Sequence, residues 1–171
     1  VTRPPIDLRP AGPDDAEFLY RVYASTRYGE LAPLRWPPEK VEAFLRMQFR
    51  AQDTHYRQYY PGAAFDVILV GGVPAGRLYV DRWPDEVRVV DIALLPEFRG
   101  AGVGTHLLAG LLAEAAAAGR RVSIHVEALN PARRLYQRLG FVKTSGSGVY
   151  DLMEWVPPAD PTPAAAGSDR A

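Results

Sequence analysis

The stretch Leu95-Pro96-Glu97-Phe98-Arg99-Gly100-Ala101-Gly102-Val103-Gly104-Thr105 decides how the rest of the chain is read. It follows an apolar run, 87–95, interrupted by Arg88 and Asp91. Such a run reads as a central strand buried on both faces, and Pro96 ends it. Beyond the stretch, Val103, Leu107, Leu108, Leu111, Leu112 and Ala115 recur at helical spacing, and Gly119 stops the helix. The three glycines therefore stand between a buried strand and a helix N-terminus. Without side chains there, main-chain N–H groups can approach a phosphate closely. The helix end adds partial positive charge, and Arg99 adds a full one. The physical reading is a diphosphate site. The plainer alternative is a glycine-rich turn with no ligand. A Walker loop is excluded because Thr105-His106, with no Lys, follows Gly104. A dinucleotide fingerprint fits poorly because its third glycine would fall at Thr105.

Working outward, residues 6–9 read as a short strand, and Gly12-Pro13-Asp14-Asp15 as a helix start with acids at the positive end. Phe18, Leu19, Val22, Tyr23 and Thr26 continue at helical spacing. Pro37-Pro38-Glu39 opens a second helix with Val41, Phe44, Leu45 and Phe49 on its apolar face. Residues 28–36 and 55–60 read as aromatic loops. Strands at 65–70 and 73–80 flank a Gly71-Gly72 turn. Residues 121–127 form another strand. Asn130-Pro131 caps and starts a helix that buries Ala132, Leu135, Tyr136 and Leu139 and ends at Gly140. A hairpin, 141–144 and 149–156, turns around Gly146-Ser147-Gly148. A crossover helix between two strands implies one parallel pair in an otherwise antiparallel sheet. The fold class is therefore a mixed α/β sheet rather than a doubly wound one.

The chain has 171 residues, about one ordinary domain. Twenty basic and twenty acidic residues cancel, which argues against a dedicated nucleic-acid binder. The absence of Cys excludes disulfides, thiolate zinc sites and a Cys nucleophile, and only His55, His106 and His125 are present, so no metal is expected. The apolar stretch 103–118 is too short, and too interrupted by Thr105, His106 and Glu114, to span a bilayer. Residues 1–10 hold no apolar signal core, so no membrane partner and a cytoplasmic location are expected. Residues 157–171 carry four Pro and no large apolar side chain, which reads as a flexible Pro/Ala-rich tail on a single domain, 1–156.

Arg99-x-x-Gly102-x-Gly104 matches the Arg/Gln-x-x-Gly-x-Gly/Ala motif of the GNAT superfamily of N-acetyltransferases, and Leu94-Leu95-Pro96-Glu97-Phe98 resembles that family's strand exit. Asn130-Pro131-Ala132-Arg133-Arg134-Leu135-Tyr136-Gln137-Arg138-Leu139-Gly140-Phe141 resembles its second signature, with six residues from Asn130 to Tyr136 where seven is commoner. The two motifs stand 26 residues apart, Gly104 to Asn130, with a helix and a strand between, and the similarity runs over 87–156. The resemblance implies the GNAT acyltransferase fold, with the strands ending at Leu95 and Glu127 splayed apart. It implies acetyl-CoA as donor, or a longer acyl-CoA, with the pantetheine arm in the gap. Leu94 and Leu95 would then touch the arm through the backbone. Arg99, Gly100, Ala101, Gly102, Val103, Gly104 and Thr105 would hold the diphosphate. Asn130 is first a helix cap and second a cofactor contact. Tyr136 occupies the general-acid position; without the motif it reads as a core tyrosine.

Three residues are candidate bases. Asp91 lies in a buried strand, where a carboxylate is either tuned for proton transfer or paired with an Arg such as Arg77. His125 lies in the strand beside the gap and suits neutral pH, or is a satisfied strand histidine. Glu127 ends that strand and serves as a third candidate or as an amine-binding carboxylate. Tyr56, Tyr59, Tyr60, Trp36 and Trp83 read first as aromatic packing of loops, with the lining of an acceptor pocket as the alternative. Arg120-Arg121 and Arg133-Arg134 read as solvated faces. The expected reaction is acetyl transfer to a primary amine of a small molecule or a protein, in a chain that could form a homodimer. The alternatives are a non-catalytic acyl-CoA sensor of the same fold and a structural interaction module.

Overall fold

In the computed structural model, residues 2–159 are described; most of the expected tail, 160–171, lies outside them. The strands are β1 (Ile6–Pro10), β2 (Ala64–Val70), β3 (Val73–Arg82), β4 (Glu86–Leu94), β5 (Arg121–Glu127), β6 (Val142–Gly146) and β7 (Tyr150–Trp155). The helices are α1 (Ala16–Leu31), α2 (Pro38–Tyr59), α3 (Val103–Ala117) and α4 (Arg133–Arg138). All seven strands form one sheet in the order β1-β2-β3-β4-β5-β7-β6. Every neighbouring pair is antiparallel except β4 and β5. The element order and the single parallel pair are those expected from the sequence. Among the described residues, no helix is long and apolar enough to cross a membrane.

Local chemistry explains the connections. Gly71 and Gly72 both take positive φ, 58° and 79°, which matches the twist of a tight hairpin between β2 and β3. Parallel strands need a long crossover, and α3 supplies it. Its Val103, Leu108, Leu111, Leu112 and Ala115 bury against Val87, Val89, Val122, Ile124 and Val126 of the central strands. Each such side chain stabilises the fold by about 1.5–3 kcal/mol when fully buried. The opposite face of the sheet carries α1 and α2, which share a second cluster of Tyr20, Tyr23, Ala24, Leu31 and Leu45.

Three expectations are corrected. Residues 55–59 form the last turns of α2 rather than a loop, closed by Tyr60 N–H donating to Tyr56 O at 2.8 Å. Leu45, Phe49, Gln52 and Tyr56 continue one stripe at intervals of three and four, so the inward-facing side extends through polar and aromatic residues. Residues 28–31 likewise belong to α1, which ends through a short turn at Arg35 in the left-handed region (φ 51°). Asn130 does cap its turn, accepting from Ala132 N–H at 2.9 Å. However, regular helix begins only at Arg133, because the first turn closes with tight bonds from Arg133 to Asn130 and from Arg134 to Pro131.

Candidate functional site

β4 and β5 pair over four residues only, 86–89 with 121–124. There β4 bulges: Val89 faces Val80 and Asp91 faces Tyr79, leaving Val90 as the extra residue. A bulge bends its strand and raises the local twist. Past it, β4 follows β3 while β5 follows β7 through Glu127, and a gap opens between 90–94 and 125–127. Leu95 N–H donates to Ala75 O at 2.8 Å, and Leu94 sits opposite Gly76. The alternation of an antiparallel ladder therefore turns the main-chain groups of Leu94 and Ile92 away from β3 and into the gap. Leu94 O is already taken by Arg99 Nε at 2.9 Å. Of the expected pair, Leu95 thus spends its N–H inside the sheet, whereas Ile92 was missed. Counting back by two from Leu94 would have found it.

The glycine loop begins where the gap ends. Gly100 and Gly102 take φ of 74° and 78°, a region that L side chains rarely adopt. Gly102 caps α3, and the first turn of α3 carries no acidic residue. Val103 is buried and ties the helix to the core, while Ala101 and Thr105 are exposed. A Cβ built on Gly104 would meet Leu135 at 3.7 Å, an ordinary contact, so α4 packs close to this turn without requiring glycine there. Arg99 is exposed and reaches Ser25 Oγ on α1 at 3.2 Å. These features suit an extended anion: open amides, a helix N-terminus without counter-acids, and a guanidinium alongside.

Tyr136 approaches from the α3 face. It is buried, packs edge-on against Phe141 at 6.0 Å, and its hydroxyl makes no hydrogen bond among the described residues. Burial pushes its phenol up to about 12, and the charge of Asp91 adds to the effect. It therefore keeps its proton at neutral pH.

The three candidate bases lie on the other face. His125 and Glu127 alternate with buried Ile124 and Val126, so they point toward the α1/α2 side. Asp91 is held there by Arg77 at 2.8 Å and by the Tyr56 hydroxyl at 2.8 Å. Arg77 also donates to Gln52 Oε1. Burial, then Asp91, drives the Tyr56 phenol far above its ordinary value. The missed turns of α2 thus supply Tyr56 to this network, and Gln52 joins it from the turn before. His125 Nδ1 lies 3.3 Å from Arg88 Nη1. Partial burial and then Arg88 hold its imidazole below the ordinary value, so it is neutral at pH 7. Since Arg88 can only donate, Nδ1 accepts and the proton sits on Nε2. Glu127 accepts from Tyr150 OH at 3.4 Å.

Of the arginines expected on solvated faces, Arg121 and Arg134 are exposed, Arg121 pairing there with Glu86 at 2.6 Å, while Arg120 and Arg133 are half-buried and Arg133 pairs with Asp151. Tyr60 stacks on Trp83 and Trp36 packs on Phe44, which is ordinary aromatic packing.

Comparison with known proteins bears on this arrangement. Residues 19–141 match the model of the Acetyltransferase (GNAT) family. No curated protein is a match. Among solved structures, a PaiA N-acetyltransferase from Thermoplasma acidophilum in complex with coenzyme A superposes with a TM-score of 0.67 at 18% identity, covering 89% of this chain and 99% of that one. An acetyltransferase from Thermus thermophilus gives 0.65 at 23% identity, covering 91% and 99%. A histone acetyltransferase HPA2 and related acetyltransferase from Corynebacterium glutamicum gives 0.63 at 26% identity, covering 94% and 99%.

Proposed function

The chain belongs to the acetyltransferase (GNAT) family, and from that premise we propose that it transfers acetyl from acetyl-CoA to a primary amine by direct attack in a ternary complex. The observation that carries the proposal is the continuity of the β4–β5 gap with the glycine loop, with Tyr136 on one side and carboxylates on the other. Acetyl-CoA supplies an activated thioester. The amides around Gly100, Gly102 and Gly104, with Arg99, hold its diphosphate. The main-chain groups of Ile92 and the N–H of Leu94 need partners, and the arm's amides satisfy them as an added strand does. A gap-facing N–H also polarises the thioester carbonyl.

Tyr136 donates the proton that the departing sulfur takes, a role its raised phenol permits because the proton is retained until needed. The amine enters from the α1/α2 face. Asp91 and Glu127 flank the gap there, attract the ammonium form and accept its proton through water. His125 is a poorer base, because its accepting nitrogen faces Arg88. The acceptor is a small-molecule or protein amine.

The test is free-thiol release from acetyl-CoA across a panel of primary amines. Release above background with at least one amine is expected. One observation favours a second reading, a non-catalytic acyl-CoA sensor: Asp91 is locked by Arg77 and Tyr56, which weakens it as a base. A sensor binds acetyl-CoA and releases no thiol with any amine. Failure to take up acetyl-CoA at millimolar concentration removes both.

A further inference from the structure

Arg3 stands outside every role assigned above. Its Nη2 donates to Ala101 O at 2.7 Å, across 98 positions of sequence. The path that brings it there is fixed. Pro4 and Pro5 stiffen the backbone, Pro5 O accepts from Gly71 N–H at 2.8 Å, and Ile6 pairs with Val70 where β1 begins. The segment is therefore anchored two residues from the guanidinium.

Electrostatics alone would keep a cation away from this place. It sits at the N-terminus of α3, the positive end of the helix dipole. The first turn of α3 has no acid, and among the described residues Arg3 forms no ion pair. Arg99 bonds only to Leu94 O and Ser25 Oγ there. Two guanidiniums without carboxylate partners beside a helix N-terminus raise the local potential for an anion.

Side matters as well. All described peptides are trans, so the carbonyl of Ala101 and the N–H of Gly102 point in opposite directions. Arg3 takes the carbonyl, and a Cβ on Gly102 would lie 2.9 Å from its Nη2. The N–H of Gly102 therefore faces away from Arg3, on the open side of the loop. Resting on the reading that this loop holds the diphosphate of CoA, we propose that Arg3 is a positioning residue for that site: it pins the Ala101–Gly102 peptide from behind, N–H outward, and sets a positive charge behind the anion.

Calorimetric titration of CoA and of dephospho-CoA into wild type, Arg3→Gln and Arg3→Lys tests this. Arg3→Gln should bind both ligands about tenfold more weakly, the scale of one charge-assisted hydrogen bond. Its affinity should also depend less steeply on salt, and Arg3→Lys should fall in between, keeping the charge but losing the fork. Arg3 is exposed, so the unliganded melting temperature should not move. Equal affinity in Arg3→Gln and wild type overturns the proposal. Tighter binding by Arg3→Gln overturns it too, by making the segment a plug. A loss seen with CoA and absent with dephospho-CoA overturns it by assigning Arg3 to the 3′-phosphate. Wild type that takes up neither ligand removes the proposed function itself and this inference with it.

Discussion

The two ends of the β4–β5 pair treat charge in opposite ways. At the closed end, side chains bridge the strands. The buried Glu86 carboxylate accepts from Arg121 Nε at 2.6 Å across the pair and from Arg88 at 3.3 Å. Arg88 Nε in turn donates to Ser123 Oγ at 2.7 Å. At the open end, the polar side chains look away from the partner strand. Asp91 turns back to Arg77 on β3 and Tyr56 on α2, and Glu127 to Tyr150 on β7. His125, beside Arg88, marks the boundary. On the α1/α2 face the carboxylates that border the opening are thus bonded away from the partner strand, while the Tyr136 hydroxyl on the other face and main-chain groups past the end of the β4–β5 ladder have no partner among the described residues.

The open end is broken most severely at the loop. Gly102→Val puts a β-branched residue at φ 78° and into the Arg3 guanidinium. Acetyl-CoA affinity should fall roughly 100-fold or more, about 2.7 kcal/mol, and an unchanged Kd by calorimetry would refute the loop assignment. Tyr136→Phe keeps the ring in its packing and removes the proton. We expect kcat to drop about 100-fold, the lower range for a lost general acid, with KM for acetyl-CoA unchanged; equal turnover in steady-state kinetics strips Tyr136 of that role. The closed end answers to Glu86→Ala, which leaves Arg88 with a carboxylate partner gone. Because Arg121 is half exposed, the loss should be about 2 kcal/mol, below the range for fully buried pairs. It should appear as a lower melting temperature with the diphosphate site intact once folded.

A control lies outside both ends. Asp15 accepts from Arg9 at 2.8 Å and from Gly12 N–H at 2.8 Å, and these bonds, Arg9 first, hold its carboxyl at about 2. A carboxyl depressed in the folded state stabilises fully above its unfolded value near 4, and this is lost as pH falls toward 2. Asp15→Asn should therefore cost about 0.5 kcal/mol at neutral pH, the scale of an ion pair with a largely exposed partner, and flatten the acid limb of a stability–pH profile between about pH 4 and 2. A limb of unchanged slope would show that Asp15 contributes nothing there.

Much of this was legible before any coordinates. The strand 87–95, its glycine loop and the following helix declared themselves by a change of period from continuous apolar to helical. The last turns of α2 were hidden because Gln52 and Tyr56 continue a stripe that earlier turns fill with Leu45 and Phe49. With them went Tyr56, and hence the partner of Asp91 other than Arg77. Ile92 carries no side-chain signal of which way its main chain faces, and only the two-residue alternation from Leu94 points to it. Arg3 was hidden by distance, since nothing local to 1–10 mentions a loop at residue 101.

Local sequence by itself determined the elements, the single crossover, the phosphate-suited loop and the family resemblance. Those follow from side-chain periodicity and from glycine's freedom at positive φ, and both act within a few residues. Tertiary structure alone decided where the sheet parts, which face each carboxylate takes, and what leans on the loop from behind. Those depend on the bulge at Val90 and on contacts between segments far apart in the chain, whose energies exist only once the strands are in register.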